Sequence, residues 1–103
     1  MIRVSVMYPN KPGAKFDWAY YLNKHIVAAS QKLSPFGMVR GEVDKGIGTA
    51  RPDAPAPYLV MAHMYFNNIG DVQKGLSAHG GELMADIPNF TDIQPQVQIS
   101  EIL

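Results

Sequence analysis

The chain has 103 residues, with nine Lys and Arg residues, nine Asp and Glu residues and no cysteine. This length predicts one domain, covering residues 1–103, with a modest core. The balanced charge gives no sign of a nucleic-acid partner or of binding to an anionic membrane, and the missing thiols exclude disulfides and cysteine chemistry. No apolar run approaches the ~18 residues that span a bilayer, so we expect a cytoplasmic protein.

The first third of the chain predicts a strand, a helix and a second strand. Residues Ile2 to Tyr8 alternate between apolar and other side chains, which is typical of a strand and not of a signal peptide. A helix is expected from Asp17 to Leu33, and a second strand from about Met38 to Asp44. The inner stripe of the helix is expected to be Trp18, Leu22, Ile26, Ala29 and Leu33.

The start of this helix is the most informative stretch of the sequence. Asp17 is a good N-cap, and Phe16 and Tyr21 are spaced to form a hydrophobic staple. Tyr21 and His25 are four residues apart, so they share one helical face. A phenol beside an imidazole can hold a ligand or move a proton. The same pair is also compatible with core packing alone.

The rest of the chain predicts two strands around a second helix. The Gly, Pro and Ala residues of segment 45–57 indicate either a functional flap or a plain hairpin connection. A strongly apolar strand is expected from Tyr58 to Asn67, and Asn68 can cap the helix that follows. We expect the Gly80-Gly81 pair to weaken or split this helix. Its inner positions are expected to be Ile69, Val72, Leu76 and Leu83.

The last strand is expected from about Ile93 to Ile102, and Pro95 inside it favours an edge position or a bulge. The resulting order, β-α-β-β-α-β, predicts a ferredoxin-like α+β fold with both helices on one face of an antiparallel sheet. That face should be aliphatic. Its expected members are Val4, Val6, Val39, Val43, Val60, Ala62, Val97 and Ile99.

The other face of the predicted sheet mixes apolar and polar side chains. Met7, Leu59, Met61 and Tyr65 would form an exposed apolar patch there, which soluble monomers rarely carry without a purpose. We therefore expect two sheets to pair face to face in a homodimer, closing an eight-stranded barrel that can hold one small apolar ligand. The residues expected to line it are Arg3, His63, Tyr65 and Gln98. Alternatively, these polar groups only pair across the interface.

Two segments of the sequence resemble the EthD family. One is Tyr8-Pro9 together with Phe16-Asp17, Tyr20-Tyr21 and His25, and the other is the run Ala85-Asp86-Ile87-Pro88-Asn89-Phe90-Thr91-Asp92. The resemblance implies a homodimer of the dimeric α+β barrel superfamily. EthD itself is required for ether breakdown by a cytochrome P450 system, and related barrels include cofactor-free monooxygenases, cyclases, haem enzymes and isomerases. One departure is that Ile26-Val27-Ala28 follows His25, where the family commonly has a residue and then Pro-Leu.

His25 is the leading catalytic candidate, as an acid/base group, with Tyr21 contacting a substrate oxygen. The alternative is a histidine that only forms a hydrogen bond between helix and sheet. His79 is expected on the surface, and the three histidines lack metal-ligand spacing, so no metal is expected. Gly46-x-Gly48 lacks the third glycine and the strand–turn–helix setting of a dinucleotide fingerprint, so we expect no cofactor.

The sequence therefore leaves three hypotheses about function. The first is a cofactor-free enzyme or accessory factor in the oxidative conversion of a small apolar oxygenated metabolite. The second is a carrier, or a partner protein of an oxygenase, without chemistry of its own. The third is a haem-binding barrel, for which one histidine would suffice but which has no positive support.

Overall fold

The computed structural model describes residues 1–103 and contains four strands and two long helices. Their order, β-α-β-β-α-β, and the α+β ferredoxin-like architecture confirm the prediction. The strands form one antiparallel sheet in the order β2-β3-β1-β4, with β3 and β1 as its two central strands. The elements are β1 (Ile2–Pro9), α1 (18–33), β2 (Met38–Lys45), β3 (Tyr58–Phe66), α2 (Ile69–Asp86) and β4 (Gln96–Glu101).

The start of α1 confirms the predicted cap and staple. The Asp17 carboxylate accepts a hydrogen bond from the backbone N–H of Tyr20 at 3.1 Å. The rings of Phe16 and Tyr21 pack edge to face with their centroids 5.0 Å apart. These two contacts fix the direction in which the chain enters the helix, and they bury Tyr21 completely.

Helix α1 is not regular, because Tyr21–His25 form a π-helical turn between the α-helical segments Trp18–Tyr20 and Ile26–Leu33. In that turn the N–H of Ile26 donates to the carbonyl of Tyr21, five residues back. The additional residue changes the phase of the helix, so Tyr21 takes the inner position that a regular helix would give to Leu22. The predicted inner position of Leu22 is therefore wrong, since its side chain is 46% exposed.

Helix α2 runs unbroken through Gly80 and Gly81, so the glycine pair does not split it. Asn68 caps it as expected, accepting from the N–H of Asp71 at 2.9 Å. Tertiary packing of the helix outweighs the low helix propensity of glycine. Val72 is fully buried as predicted, but Ile69 in the first turn is exposed and is not an inner position.

The helices cover the aliphatic face of the sheet, as predicted, with two corrections. On β1 this face carries Val4, Val6 and Tyr8, and the facing residues of β3 continue it. Val39 does not belong to it: a bulge between Met38 and Arg40 leaves Val39 half exposed. On β4, an edge strand, Val97 and Ile99 are also half exposed.

The last strand is shorter than predicted and begins at Gln96, after Pro95. Ile93 is instead buried in one of two core clusters, with Tyr8, Tyr21, Val60, Ile87 and Phe90. The second cluster consists of Val4, Leu33, Phe66 and Val72. Neither helix combines the length and the apolar character that a membrane span requires.

Candidate functional site

A cavity of about 440 Å³ lies between the two helices and the aliphatic face of the sheet. Its volume is within the range of small-molecule sites, ~300–1,000 Å³. Of its 21 lining residues, 15 are hydrophobic, and the wall draws on both core clusters. Tyr8, Tyr21 and His25 place aromatic groups with polar atoms in this wall, whose other polar members are Ser30, Glu42 and His63. No residue of the 46–57 connection lines the cavity, so nothing in this structure makes that segment a flap over it.

His25 ends the π turn and is held by Asp86, the last residue of α2. Its Nδ1 lies 2.9 Å from a carboxylate oxygen of Asp86, and the imidazole is buried. A carboxylate accepts hydrogen bonds, so the network assigns the proton of a neutral imidazole to Nδ1. Nε2 then carries the lone pair and is the atom able to take a proton from a ligand.

Three donors converge on Asp86. Besides His25, the hydroxyl of Tyr20 donates to the carboxylate at 2.6 Å and the side-chain amide of Asn89 donates at 2.9 Å. Desolvation would raise the pKa of Asp86, but hydrogen bonds from Tyr20, Asn89 and His25 together lower it. Asp86 is therefore ionised at neutral pH and can stabilise a protonated His25.

Tyr21 stacks against His25 with its ring centroid 5.9 Å away and an interplanar angle of 17°. The Tyr21 hydroxyl is buried and has no hydrogen-bond partner in the protein. Burial, and secondarily the neighbouring phenol of Tyr8, raise the pKa of Tyr21, so this hydroxyl remains protonated. An unsatisfied buried hydroxyl costs ~1–3 kcal/mol, which a ligand oxygen at this point would recover.

The segment around Phe90 brings the two parts of the site together. Phe90 packs on His25, with ring centroids 4.7 Å apart, and its carbonyl accepts from the N–H of Asp17 at 2.7 Å. Phe16 and Thr91 form an isolated β-bridge beside it. The two segments that resemble the EthD family are thus adjacent in space, and each supplies one member of the His25–Asp86 pair.

The four residues predicted to bind a ligand in the barrel lie on the face of the sheet that points away from the helices. His63 is paired there, with Nδ1 2.8 Å from the Ser5 hydroxyl and Nε2 3.3 Å from the Asp44 carboxylate. His63 is also among the residues that line the cavity, whereas Arg3, Tyr65 and Gln98 are not. The predicted ligand site between subunits concerns that other face and stays a prediction.

Sequence reasoning missed Asp86, Asn89 and Tyr8 as site residues. Asp86 and His25 are 61 positions apart, so no spacing rule connects them. The one available signal was that Asp86 and Asn89 belong to the run 85–92 that carries the family resemblance. His79 lies on α2 and pairs with Glu82, away from the cavity. Nowhere do three or more His, Cys, Asp or Glu side chains come together in a way that would hold a metal ion.

The fold and the site define a ferredoxin-like α+β domain with an apolar cavity and a histidine–carboxylate pair at its wall. The EthD domain model matches residues 14–94, and the chain belongs to the EthD family. An EthD-like protein of Ralstonia eutropha JMP134 is 34% identical and has a TM-score of 0.91, with 99% of this chain and 91% of that chain covered.

Two less similar structures show the same fold. An ethyl tert-butyl ether D (EthD) family protein of Bacillus halodurans C-125 is 18% identical, with a TM-score of 0.70 and coverage of 100% of this chain and 99% of that one. SnoaB, a cofactor-independent oxygenase of Streptomyces nogalater, is 8% identical, with a TM-score of 0.60 and coverage of 98% and 90%. No curated protein matches the chain.

Proposed function

We propose that this EthD-family protein binds a small apolar compound carrying an oxygen function in the cavity, and that His25 removes a proton from it without the help of a cofactor. The observation that carries the proposal is the His25–Asp86 hydrogen bond at the wall of an apolar cavity, beside the unpartnered hydroxyl of Tyr21. A base, an orienting carboxylate and an oxygen contact are the parts that general base catalysis needs.

The proton would pass from the ligand to Nε2 of His25. Asp86, whose hydrogen bonds keep it ionised, would stabilise the imidazolium that forms. The Tyr21 hydroxyl would donate to the ligand oxygen on which negative charge develops. This division of roles keeps Tyr21 and His25 as the catalytic residues that the sequence suggested and adds Asp86 as a positioning residue.

The oxidative part of the proposal takes dioxygen as the co-reactant. Removal of a proton from carbon leaves a carbanion, a C–O bond then forms to dioxygen, and the proton ends on the terminal oxygen of the hydroperoxide. The balance is R–H + O2 → R–OOH, so no external reductant is required. Support for this class of reaction is the description of SnoaB as a cofactor-independent oxygenase, which is a likeness of fold alone.

A second candidate function is a carrier that delivers its ligand to an oxygenase. The observation that favours it is the predominantly hydrophobic wall of the cavity, with 15 hydrophobic residues among 21. Such a wall suffices to bind an apolar compound without any proton transfer. In the enzyme His25 is required for turnover, whereas in the carrier it contributes only to the shape of the cavity wall.

The test is exchange of the acidic hydrogens of 2-tetralone, an apolar ketone, in deuterated buffer, followed by NMR. We expect the wild-type protein to accelerate exchange and His25→Gln to slow it by ~10²–10⁴-fold, the usual contribution of a general base. His79→Gln, on α2 and outside the cavity, is the matched control and should exchange as the wild type does. Equal rates for the wild type and His25→Gln would contradict an enzymatic role and leave the carrier.

We also propose that the protein is a homodimer in which a second copy covers the other face of the sheet. That face carries Met7, Leu59 and Met61, all partly buried. Apolar side chains that stay partly exposed on one sheet face favour burial against a protein partner over contact with water. Light scattering should give twice the chain mass of 11.4 kDa, and a single-chain mass at all concentrations would contradict the proposal.

A further inference from the structure

Two buried tyrosines from different elements meet at one part of the cavity wall. Tyr8 is the second-last residue of β1 and Tyr21 begins the π turn of α1, and both are almost completely buried. Their rings are perpendicular, with centroids 5.9 Å apart, and each lines the cavity. Close packing therefore holds Tyr8 against Tyr21, and His25 stacks on the ring of Tyr21.

Neither phenol hydroxyl forms a hydrogen bond within the protein. The Tyr21 hydroxyl is buried without a partner. Burial, followed by the charge of Asp86, raises the pKa of Tyr8, and no hydrogen bond contributes to that shift. A phenylalanine at either position would fill the same space without an unsatisfied hydroxyl. Two protonated phenols in the cavity wall, neither with a protein acceptor, are available to donate to a ligand oxygen.

No permanently charged cation lines the cavity. None of its lining residues is Lys or Arg. The neighbouring lysines of α1 are engaged elsewhere: Lys24 lies over the ring of Tyr20, and Lys32 pairs with Glu82. A carboxylate or phosphate moved into this apolar space would lose its hydration without a counter-charge, at a cost of several kcal/mol. The site therefore suits an oxygen that is uncharged when the ligand enters.

We propose that Tyr8 and Tyr21 donate together to a single ligand oxygen that gains negative charge only as His25 takes the proton. The substrate class is then a neutral weak acid, a phenol or a ketone with an acidic C–H beside the carbonyl, and not a carboxylate or phosphate ester. The O–H or C–H bond breaks, the proton goes to Nε2 of His25, and the electron pair is delocalised onto the oxygen between the two phenols. This inference rests on the proposed function and adds Tyr8 to the catalytic residues.

Binding tests the ligand class independently of turnover. Fluorescence titration should show that 2-naphthol binds at least tenfold more tightly than 2-naphthoate or naphthalene. Tyr8→Phe and Tyr21→Phe should each remove most of the preference for naphthol over naphthalene. Tyr58→Phe is the matched control, because the hydroxyl of Tyr58 bonds to Gln96 outside the cavity. This variant should keep the preference for naphthol over naphthalene.

Turnover tests the catalytic role of the pair. In the 2-tetralone exchange assay, Tyr8→Phe should lower kcat by ~10²-fold, the range found for loss of one oxyanion donor, with a smaller change in KM. Because the Tyr8 hydroxyl bonds to nothing in the protein, this variant should unfold at the wild-type denaturant concentration, which separates catalysis from folding.

The outcomes separate this inference from the proposed function. Wild-type exchange that Tyr8→Phe does not slow, or naphthoate binding as tight as naphthol binding, overturns the phenol pair while the proposed function stands. A naphthol preference that is lost in Tyr8→Phe, without any exchange in the wild type, supports the paired donors as a binding site and contradicts the proposed catalysis.

Discussion

His25 and Asp86 are 61 residues apart in the chain, yet Nδ1 of the imidazole and a carboxylate oxygen of Asp86 are 2.9 Å apart. The contact joins the end of the π turn in α1 to the end of α2. It fixes the orientation of the imidazole and couples the two helices at the wall of the cavity.

Replacing Asp86 with asparagine should impair proton transfer more than ligand binding. The amide has nearly the same shape but no charge, so it neither stabilises an imidazolium nor fixes Nδ1 as the protonated nitrogen. We expect the rate of 2-tetralone exchange to fall by ~10²-fold or more, with naphthol affinity changed less than threefold. Asp53→Asn, in the exposed 46–57 connection, is the matched control. A loss of affinity as large as the loss of rate would indicate a purely structural role for Asp86.

The free energy of unfolding should reveal that the Tyr21 hydroxyl is not a structural group. Its ring is fully buried among aromatic neighbours, whereas its oxygen has no partner. Tyr21→Phe should leave the unfolding free energy unchanged or raise it by ~1 kcal/mol, and Tyr21→Ala should lower it by ~3–5 kcal/mol. Urea denaturation measures both. Destabilisation of Tyr21→Phe by ~2 kcal/mol or more would show that the hydroxyl is satisfied in the folded protein.

The stability should fall in acid partly through Asp86. Its pKa is lowered in the folded state by hydrogen bonds that overcome desolvation, so folding favours the ionised form. A group with a depressed pKa stabilises the fold above its unfolded pKa of ~3.9 and loses that contribution as pH falls through the folded value.

The measurement is urea denaturation of the wild type and Asp86→Asn between pH 7 and pH 2.5. The difference in unfolding free energy between the two proteins should be largest near neutral pH and should shrink below about pH 4. Glu82, whose pKa is lowered by Lys32 and His79, shifts in the same direction in both proteins and cancels in this difference. A difference that grows toward low pH would contradict the assigned direction.

Deletion of Leu22 should be tolerated far better than deletion of Val27. Leu22 is exposed inside the π turn, and removing it restores a regular helix while Tyr21 keeps its inner position. Removing Val27, which is also exposed but lies in the α-helical part, rotates everything before it by ~100° and displaces Tyr21 and His25. Circular dichroism with urea denaturation should show that the protein lacking Leu22 is folded and that the protein lacking Val27 is strongly destabilised. Equal destabilisation of the two would contradict the view that Leu22 is the additional residue of the π turn.

More of the fold than of the candidate site could be predicted from the sequence. The predicted helix caps and the predicted strand β1 are confirmed; the caps are Asp17 and Asn68. Such features depend only on neighbours a few residues away. Predictions that assumed a regular helix or an unbroken ladder were wrong at Leu22 and Val39, since a π turn and a bulge each shift the phase by one residue. Local patterns do not contain such insertions, because packing against distant residues decides where they occur.

By itself, the sequence determined the order of the elements, the aliphatic and mixed faces of the sheet, and the EthD family through two short segments. It also predicted Tyr21 and His25 as catalytic candidates, because their spacing on a helix is a local property. Only the tertiary structure placed Asp86 on His25, Tyr8 beside Tyr21 and an apolar cavity against all three. The physical reason is that a hydrogen bond or a buried wall forms between atoms that are close in space, and closeness between residues far apart in the chain depends on the packing of every element between them.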